Sequence, residues 1–188
     1  MGKHIILGRE KVLVGQAFDV EKVHFQLPDG RRRSYDLVDH ANAVTLVPVS
    51  EIGEIYFVSQ YRVGSKSLLL ELPAGVLDPG EAPFISARRE LREEIGMDAA
   101  QLFEIGNFYM SPGYSNEFMS VFLAMELHPA PLARDEDEFL EIMKIPVEQI
   151  YQMALSGEIL DGKSLTALLF ALPFLKVAFP DQIISLCL

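Results

Sequence analysis

Residues 75–97 read GVLDPGEAPFISARRELREEIGM, a run that sets Gly75, Glu81, Arg89, Glu90, Leu91, Glu93, Glu94, Gly96 and Met97 at fixed intervals. Pro83 suits the first turn of a helix, where its missing N–H costs nothing, and Gly96 suits a left-handed C-terminal cap. A helix over 83–95 is therefore expected. On it Glu90, Glu93 and Glu94 fall at i, i+3 and i+4, one face near the C-terminal end. Negative charge is poorly placed there. Like charges at that spacing repel by roughly 0.2–0.5 kcal/mol per pair, and the helix macrodipole adds about 0.3–1 kcal/mol against each anion. Divalent cations would reverse the sign of both effects. Taken alone, the glutamates also fit a solvated acidic face stitched by Arg88, Arg89 and Arg92. The wider frame favours a site, because the apolar run 68–72 leads into the glycine-bearing loop 75–80 and the helix follows at once.

The spacing resembles the signature of the Nudix hydrolases, Gly-x5-Glu-x7-Arg-Glu-U-x-Glu-Glu-x-Gly-U with U a bulky apolar residue, and every fixed position is filled. The resemblance implies an α/β/α sandwich and a family that cleaves a nucleoside diphosphate linked to another moiety, with magnesium or manganese. It covers the box directly, and the rest of the chain is read separately.

At 188 residues and 49% apolar content the chain suits one folded domain with a small appended sheet. Its net charge of −11 is the wrong sign for a general nucleic-acid binder. A small diphosphate remains compatible, since metal ions and a few arginines can offset it locally. Cys187 is the single cysteine, so no intrachain disulfide can form, which suits a reducing cytosol. No signal peptide is evident at the N-terminus. The longest apolar stretch, 165–175, holds Pro173 and is far below the roughly 20 residues of a membrane span, so no membrane partner is expected.

Val23, Phe25 and Leu27 alternate ahead of Pro28-Asp29-Gly30, which predicts a hairpin over 20–38 and a small N-terminal antiparallel sheet over 1–40. Residues 41–188 are then the main domain. Strands are expected at 43–49, 55–61, 68–72, 102–109, 118–127 and 139–145, with helices near 146–155 and 164–178 and Ser164 as an N-cap. Strands around a central helix, closed by terminal helices, give an α/β sandwich.

Glu90 and Glu94 are the expected metal ligands, because hard divalent cations take oxygen donors. Glu93 shares their face and is open to a ligand or general-base role. The resemblance adds the backbone carbonyl of Ala74 as a ligand and implies two or more Mg2+ or Mn2+ ions. Arg89 and Glu81 are expected as a structural ion pair holding loop to helix. Pro112 lies sixteen positions beyond Gly96, in a Ser-Pro-Gly turn followed by Glu117, and this resembles the marker of the ADP-ribose pyrophosphatase subfamily. That resemblance makes Glu117 a candidate base, against a plain solvated loop glutamate. Gln60-Tyr61-Arg62 and Leu70-Glu71-Leu72-Pro73-Ala74-Gly75 resemble the same subfamily, which implies a diphosphate contact for Arg62. Glu71 either faces the site or alternates outward. The subfamily also uses its N-terminal sheet, across a homodimer, to contact adenine and ribose; Arg33 and Asp36 are the candidates by position, although Arg-Ser-Tyr-Asp stands one residue out of the family's register. Asp135-Glu136-Asp137-Glu138 is expected as a solvated acidic loop, and the resemblance makes Glu136 or Glu138 a reserve candidate for the base.

These observations together predict a cytoplasmic enzyme that hydrolyses a nucleoside diphosphate sugar, with ADP-ribose giving AMP and ribose 5-phosphate as the lead case. GDP-mannose or NADH is the alternative substrate, and a catalytically weak nucleotide sensor the alternative of a different class.

Overall fold

The computed structural model describes residues 2–133 and 139–183; the acidic loop 135–138, Cys187 and the end of the apolar tail lie outside them. The chain divides into two compact units, the first made of Met1–Asn42 with Phe108–Met119, the second of Ala43–Asn107 with Ser120–Leu188.

In the first unit β1 (Ile5–Leu13), β2 (Asp19–Gln26) and β3 (Arg32–Asp39) form an antiparallel sheet in that order. The β2–β3 hairpin closes over Pro28-Asp29-Gly30. Gly30 takes φ +87°, and the Asp29 carboxylate accepts the Arg31 amide at 3.1 Å, the local bonding that favours Asp and Gly in turns. Val23 and Phe25 are buried on one face of β2, and Phe25 packs on Tyr35 with ring centroids 5.0 Å apart. The loop 111–117 is tied to the end of β3. Tyr114 accepts the Val38 amide at 2.7 Å, and the Asn116 side chain accepts the His40 amide at 2.8 Å while donating to Asp39 at 2.6 Å.

The second unit has two sheets. One runs β10 (Glu141–Pro146), β5 (Glu54–Arg62), β6 (Ser67–Glu71); the other runs β7 (Ala74–Val76), β4 (Ala43–Pro48), β9 (Phe118–Pro129), β8 (Met97–Tyr109), with the outer ends of β8 and β9 belonging to the first unit. Every residue of β4 is buried, the pattern of a strand covered on both faces. Val44 and Leu46 join Ala87 and Leu91 of α1 (Pro83–Glu94) in one apolar cluster. The long C-terminal helix α3 (Gly162–Ala178) also packs on β4, and α2 (Val147–Ser156) packs against β10 and β5. The result is the expected helix–sheet sandwich.

Three details differ from the sequence reading. Residues 74–76, of which 75 and 76 are expected in the loop, form a short strand paired with β4, Ala74 opposite Thr45. The strand expected at 102–109 begins at Met97, directly after Gly96, whose φ of +71° ends the helix turn without a connecting loop. The N-cap of α3 is Asp161, not Ser164: the Asp161 side chain accepts the Ser164 amide at 3.0 Å, so Ser164 stands three positions inside the cap.

Candidate active site

α1 starts with Pro83 at its first position and has no side-chain N-cap. Packing supplies what capping does not, as Ala87 and Leu91 are fully buried. The same face carries Ser86, Glu90 and Glu94 at i, i+4 and i+8, also buried. Glu90 is 7% and Glu94 3% exposed, so the solvated acidic face is excluded for these two.

The signature loop and strand β7 lie against that face. A methyl group on Gly75 would fall 1.9 Å from one Glu90 carboxylate oxygen and 2.4 Å from the other, so the backbone there makes room for the carboxylate. One residue earlier, the Ala74 amide donates to Glu94 Oε2 at 3.2 Å. Arg89 is the hub beside them. Its guanidinium donates to both oxygens of Glu81 at 3.1 and 2.9 Å, to the Val76 carbonyl at 3.0 Å, to Glu90 at 2.6 Å and to Glu93 at 2.9 Å. Loop and helix are held together by that one side chain, as the sequence reading expects of Arg89 and Glu81. Its hydrogen bonds to Glu81, and then the charge of Glu90, raise the Arg89 pKa still further above neutrality, whereas the Glu81 carboxyl is held below its usual range first by Arg89.

These groups surround a cavity of about 370 Å³ lined by Gln60, Arg62, Ala74 to Val76, Asp78, Arg89, Glu90, Glu93 and Glu94. Carboxylates outnumber guanidiniums there by two, at the negative end of a helix dipole. The donor chemistry fits a hard divalent cation. Every acidic or carbonyl group offered is an oxygen donor, and among the described residues no histidine or cysteine lines the cavity. Among the described residues no three such side chains converge as a closed cage. An open arrangement suits Mg2+, which keeps water and takes substrate phosphate oxygens around one or two carboxylates. Glu90, Glu94 and the Ala74 carbonyl are the groups able to hold it.

Arg62 lines the cavity but also grips Glu71 with two hydrogen bonds, of 2.8 and 2.7 Å. Glu71 is 1% exposed and is not among the lining residues. It receives Lys163 from the first turn of α3 as well. Lys163 was missed by sequence reasoning, since a single lysine ninety-two positions from its partner gives no local signal. Glu117 belongs to the first unit, where its carboxylate stands 4.0 Å from His40 Nδ1. Arg33 and Asp36 are three apart on β3 and so point to opposite faces, Arg33 opposite Phe25 and Asp36 opposite Lys22, to which it is ion-paired at 3.1 Å. The structure does not bring those two together within one chain.

Residues 39–168 match the NUDIX domain family. ADP-ribose pyrophosphatase of Bacillus subtilis is 37% identical over 164 residues, covering 86% of this chain and 89% of that protein. ADP compounds hydrolase NudE of Escherichia coli is 31% identical over 176 residues, covering 93% and 94%. A crystal structure of an ADP compounds hydrolase superposes with a TM-score of 0.84 at 29% identity, covering 95% of this chain and 97% of that one.

Proposed function

This chain belongs to the Nudix family and is a Nudix hydrolase, and from that premise we propose that it hydrolyses the diphosphate of ADP-ribose, giving AMP and ribose 5-phosphate. The observation that carries the reading is the burial of Glu90, against a glycine that leaves space for its carboxylate, and of Glu94, in a cavity rich in oxygen donors. The choice of ADP-ribose is supported by the Bacillus subtilis relative and by the Pro112 and Glu117 loop.

Glu90, Glu94 and the Ala74 carbonyl would hold two or more Mg2+ or Mn2+ ions, which when bound neutralise the diphosphate and make a water molecule more acidic. Glu93 lines the cavity, which supports it as the acceptor of the proton of an attacking water. Glu117 is the second candidate base, and comparing kcat of Glu93→Gln with that of Glu117→Gln assigns the role. Arg62 presents a permanent cation to phosphate oxygens from the cavity wall. Arg33 and Asp36 remain the candidates for the nucleoside end. Because they project to opposite faces of β3, one ligand would meet an Arg33 and an Asp36 together only where the two come from different copies of the chain. Residues 1–40 would then act as a dimerisation segment ahead of a hydrolase domain over 41–188, a reading supported by Ile5, Ile6 and Leu13 being more than half exposed on β1. No helix among the described residues is long and apolar enough to cross a membrane, and a cytoplasmic location is proposed from the lack of a cysteine pair.

The test is a panel of ADP-ribose, GDP-mannose, NADH and a nucleoside triphosphate with Mg2+, scored by products. AMP and ribose 5-phosphate at the highest kcat/KM support the reading. Preference for the triphosphate overturns it, and preference for NADH or GDP-mannose moves it to another diphosphate substrate.

A further inference from the structure

Behind the cavity wall lies a second ionic cluster, of which the proposed chemistry uses only Arg62. Glu71 ends β6, just before Leu72-Pro73-Ala74 leads into the signature loop. Its carboxylate takes the Arg62 fork, Nε at 2.8 Å and Nη2 at 2.7 Å, and also the ammonium of Lys163. Lys163 reaches Asp161 at 3.0 Å, and Asp161 caps the same helix turn through the Ser164 amide. Ser164 Oγ in turn accepts the Leu72 amide at 2.7 Å. The first turn of α3 thus meets Glu71, the last residue of β6, and Leu72, which follows it toward the metal loop.

Lys163 is 7% exposed and Glu71 1%, whereas the Arg62 side chain is 43% exposed and lines the cavity. One buried carboxylate is therefore shared between a cation facing the cavity and a cation behind it. An isolated Glu71–Arg62 pair would leave the guanidinium field largely quenched by its partner. With Lys163 sharing the same carboxylate oxygen, Arg62 is fixed in direction by two hydrogen bonds yet keeps more of its attraction for an anion in front. A strand-end arginine held only by packing would lose side-chain freedom on meeting a ligand, and this one has already lost it.

We propose that Lys163 is a positioning residue for substrate, acting through Glu71 to aim Arg62 and preserve its charge toward the diphosphate in the cavity. The inference rests on Arg62 contacting the diphosphate. Lys163 does not touch substrate itself. Its effect belongs to binding, so KM rises while kcat changes little.

The experiment is a double-mutant cycle on the full-length enzyme with ADP-ribose and saturating Mg2+. It comprises Lys163→Met, Arg62→Ala and the double variant, with Lys163→Arg as the conservative rescue and thermal melting recorded for each. Lys163→Met is expected to raise KM about tenfold, equal to about 1.4 kcal/mol, with kcat within about threefold. Lys163→Arg should restore most of that loss. In the Arg62→Ala background Lys163→Met should have little further effect on KM, since the route through Arg62 is gone. A role confined to stability would lower the melting temperature and leave KM alone, or would act equally in both backgrounds, and either result overturns the inference. If Arg62→Ala leaves KM unchanged, the diphosphate contact of Arg62 fails first, and the Lys163 inference with it. Should Lys163→Met not fold, Lys163→Gln takes its place, retaining a donor to Glu71 without the charge, and the same outcomes apply.

Discussion

Glu71 and Glu90 are both buried glutamates of the second unit, and they differ in the company they keep. Glu71 is clasped by two cations, Arg62 and Lys163, and is enclosed. Glu90 and Glu93 share Arg89 with Glu81, and they line a cavity. In the first case two cations meet one enclosed carboxylate, whereas in the second three carboxylates meet one guanidinium beside an open volume. Burial of a carboxylate therefore does not by itself mark a metal site. A local surplus of negative charge beside an open volume is the more informative sign.

Substitutions can break that comparison. The largest effect on stability is expected from Glu71→Gln, which leaves Arg62 and Lys163 facing a neutral amide. Removing one partner of a buried pair costs about 3–5 kcal/mol, and the half-open position of Arg62 puts this site at the lower end. Denaturant unfolding measures it. Burial pushes the Glu71 carboxyl up, but the Arg62 hydrogen bonds and the Lys163 charge together hold it below its usual range. A depressed pKa contributes stability that is present above the unfolded value of 4.5 and is lost as pH falls through the lower folded value. Wild-type stability should accordingly decline below about pH 4.5 more steeply than that of Glu71→Gln.

Glu94→Gln should behave in the opposite way. Turnover with metal should drop by more than about a hundredfold, beyond the 10–100-fold typical of groups that only support a ligand. Thermal stability should hold or rise slightly, because a like-charge contact on α1 is relieved. A stable protein with near-normal activity would remove Glu94 from the site. Gly75→Ala comes next, since its methyl would press on Glu90. Overpacking of this kind costs about 1–3 kcal/mol, and activity should fall about 10–100-fold as Glu90 is displaced; calorimetry and kcat at saturating Mg2+ measure the two. The smallest effect is expected from Asp161→Asn. Asn is as good an N-cap as Asp, so only the charge beside Lys163 is lost, and destabilisation should stay near about 1 kcal/mol.

The same contrast explains what the sequence disclosed. Glu90, Glu93 and Glu94 are neighbours along a helix, so the 3.6-residue period places them on one face without any knowledge of the fold. Glu81 and Arg89 were equally legible within the box. Lys163 and Glu71 are far apart in sequence and meet only after β6 and α3 are packed, so residue spacing holds no trace of their contact. The three-residue strand β7 escaped notice for a related reason: pairing with β4 makes it a strand, not its own Ala-Gly-Val. Ser164 and Asp161 are both good caps by residue type and stand about one helical turn apart, so composition alone does not choose between them. Arg33 and Asp36 came from a family register that this chain does not keep, and strand alternation separates them.

The close approach at Gly75 ties two positions into one design unit. The Glu90 carboxylate occupies the volume that a side chain at 75 would take. A bulkier residue at 75 displaces the acid at 90 or calls for a shorter one, and a shorter acid at 90 opens volume into which a residue at 75 can grow. Retuning the cavity for an ion of another radius is thus a paired exchange of volume across the gap between loop and helix.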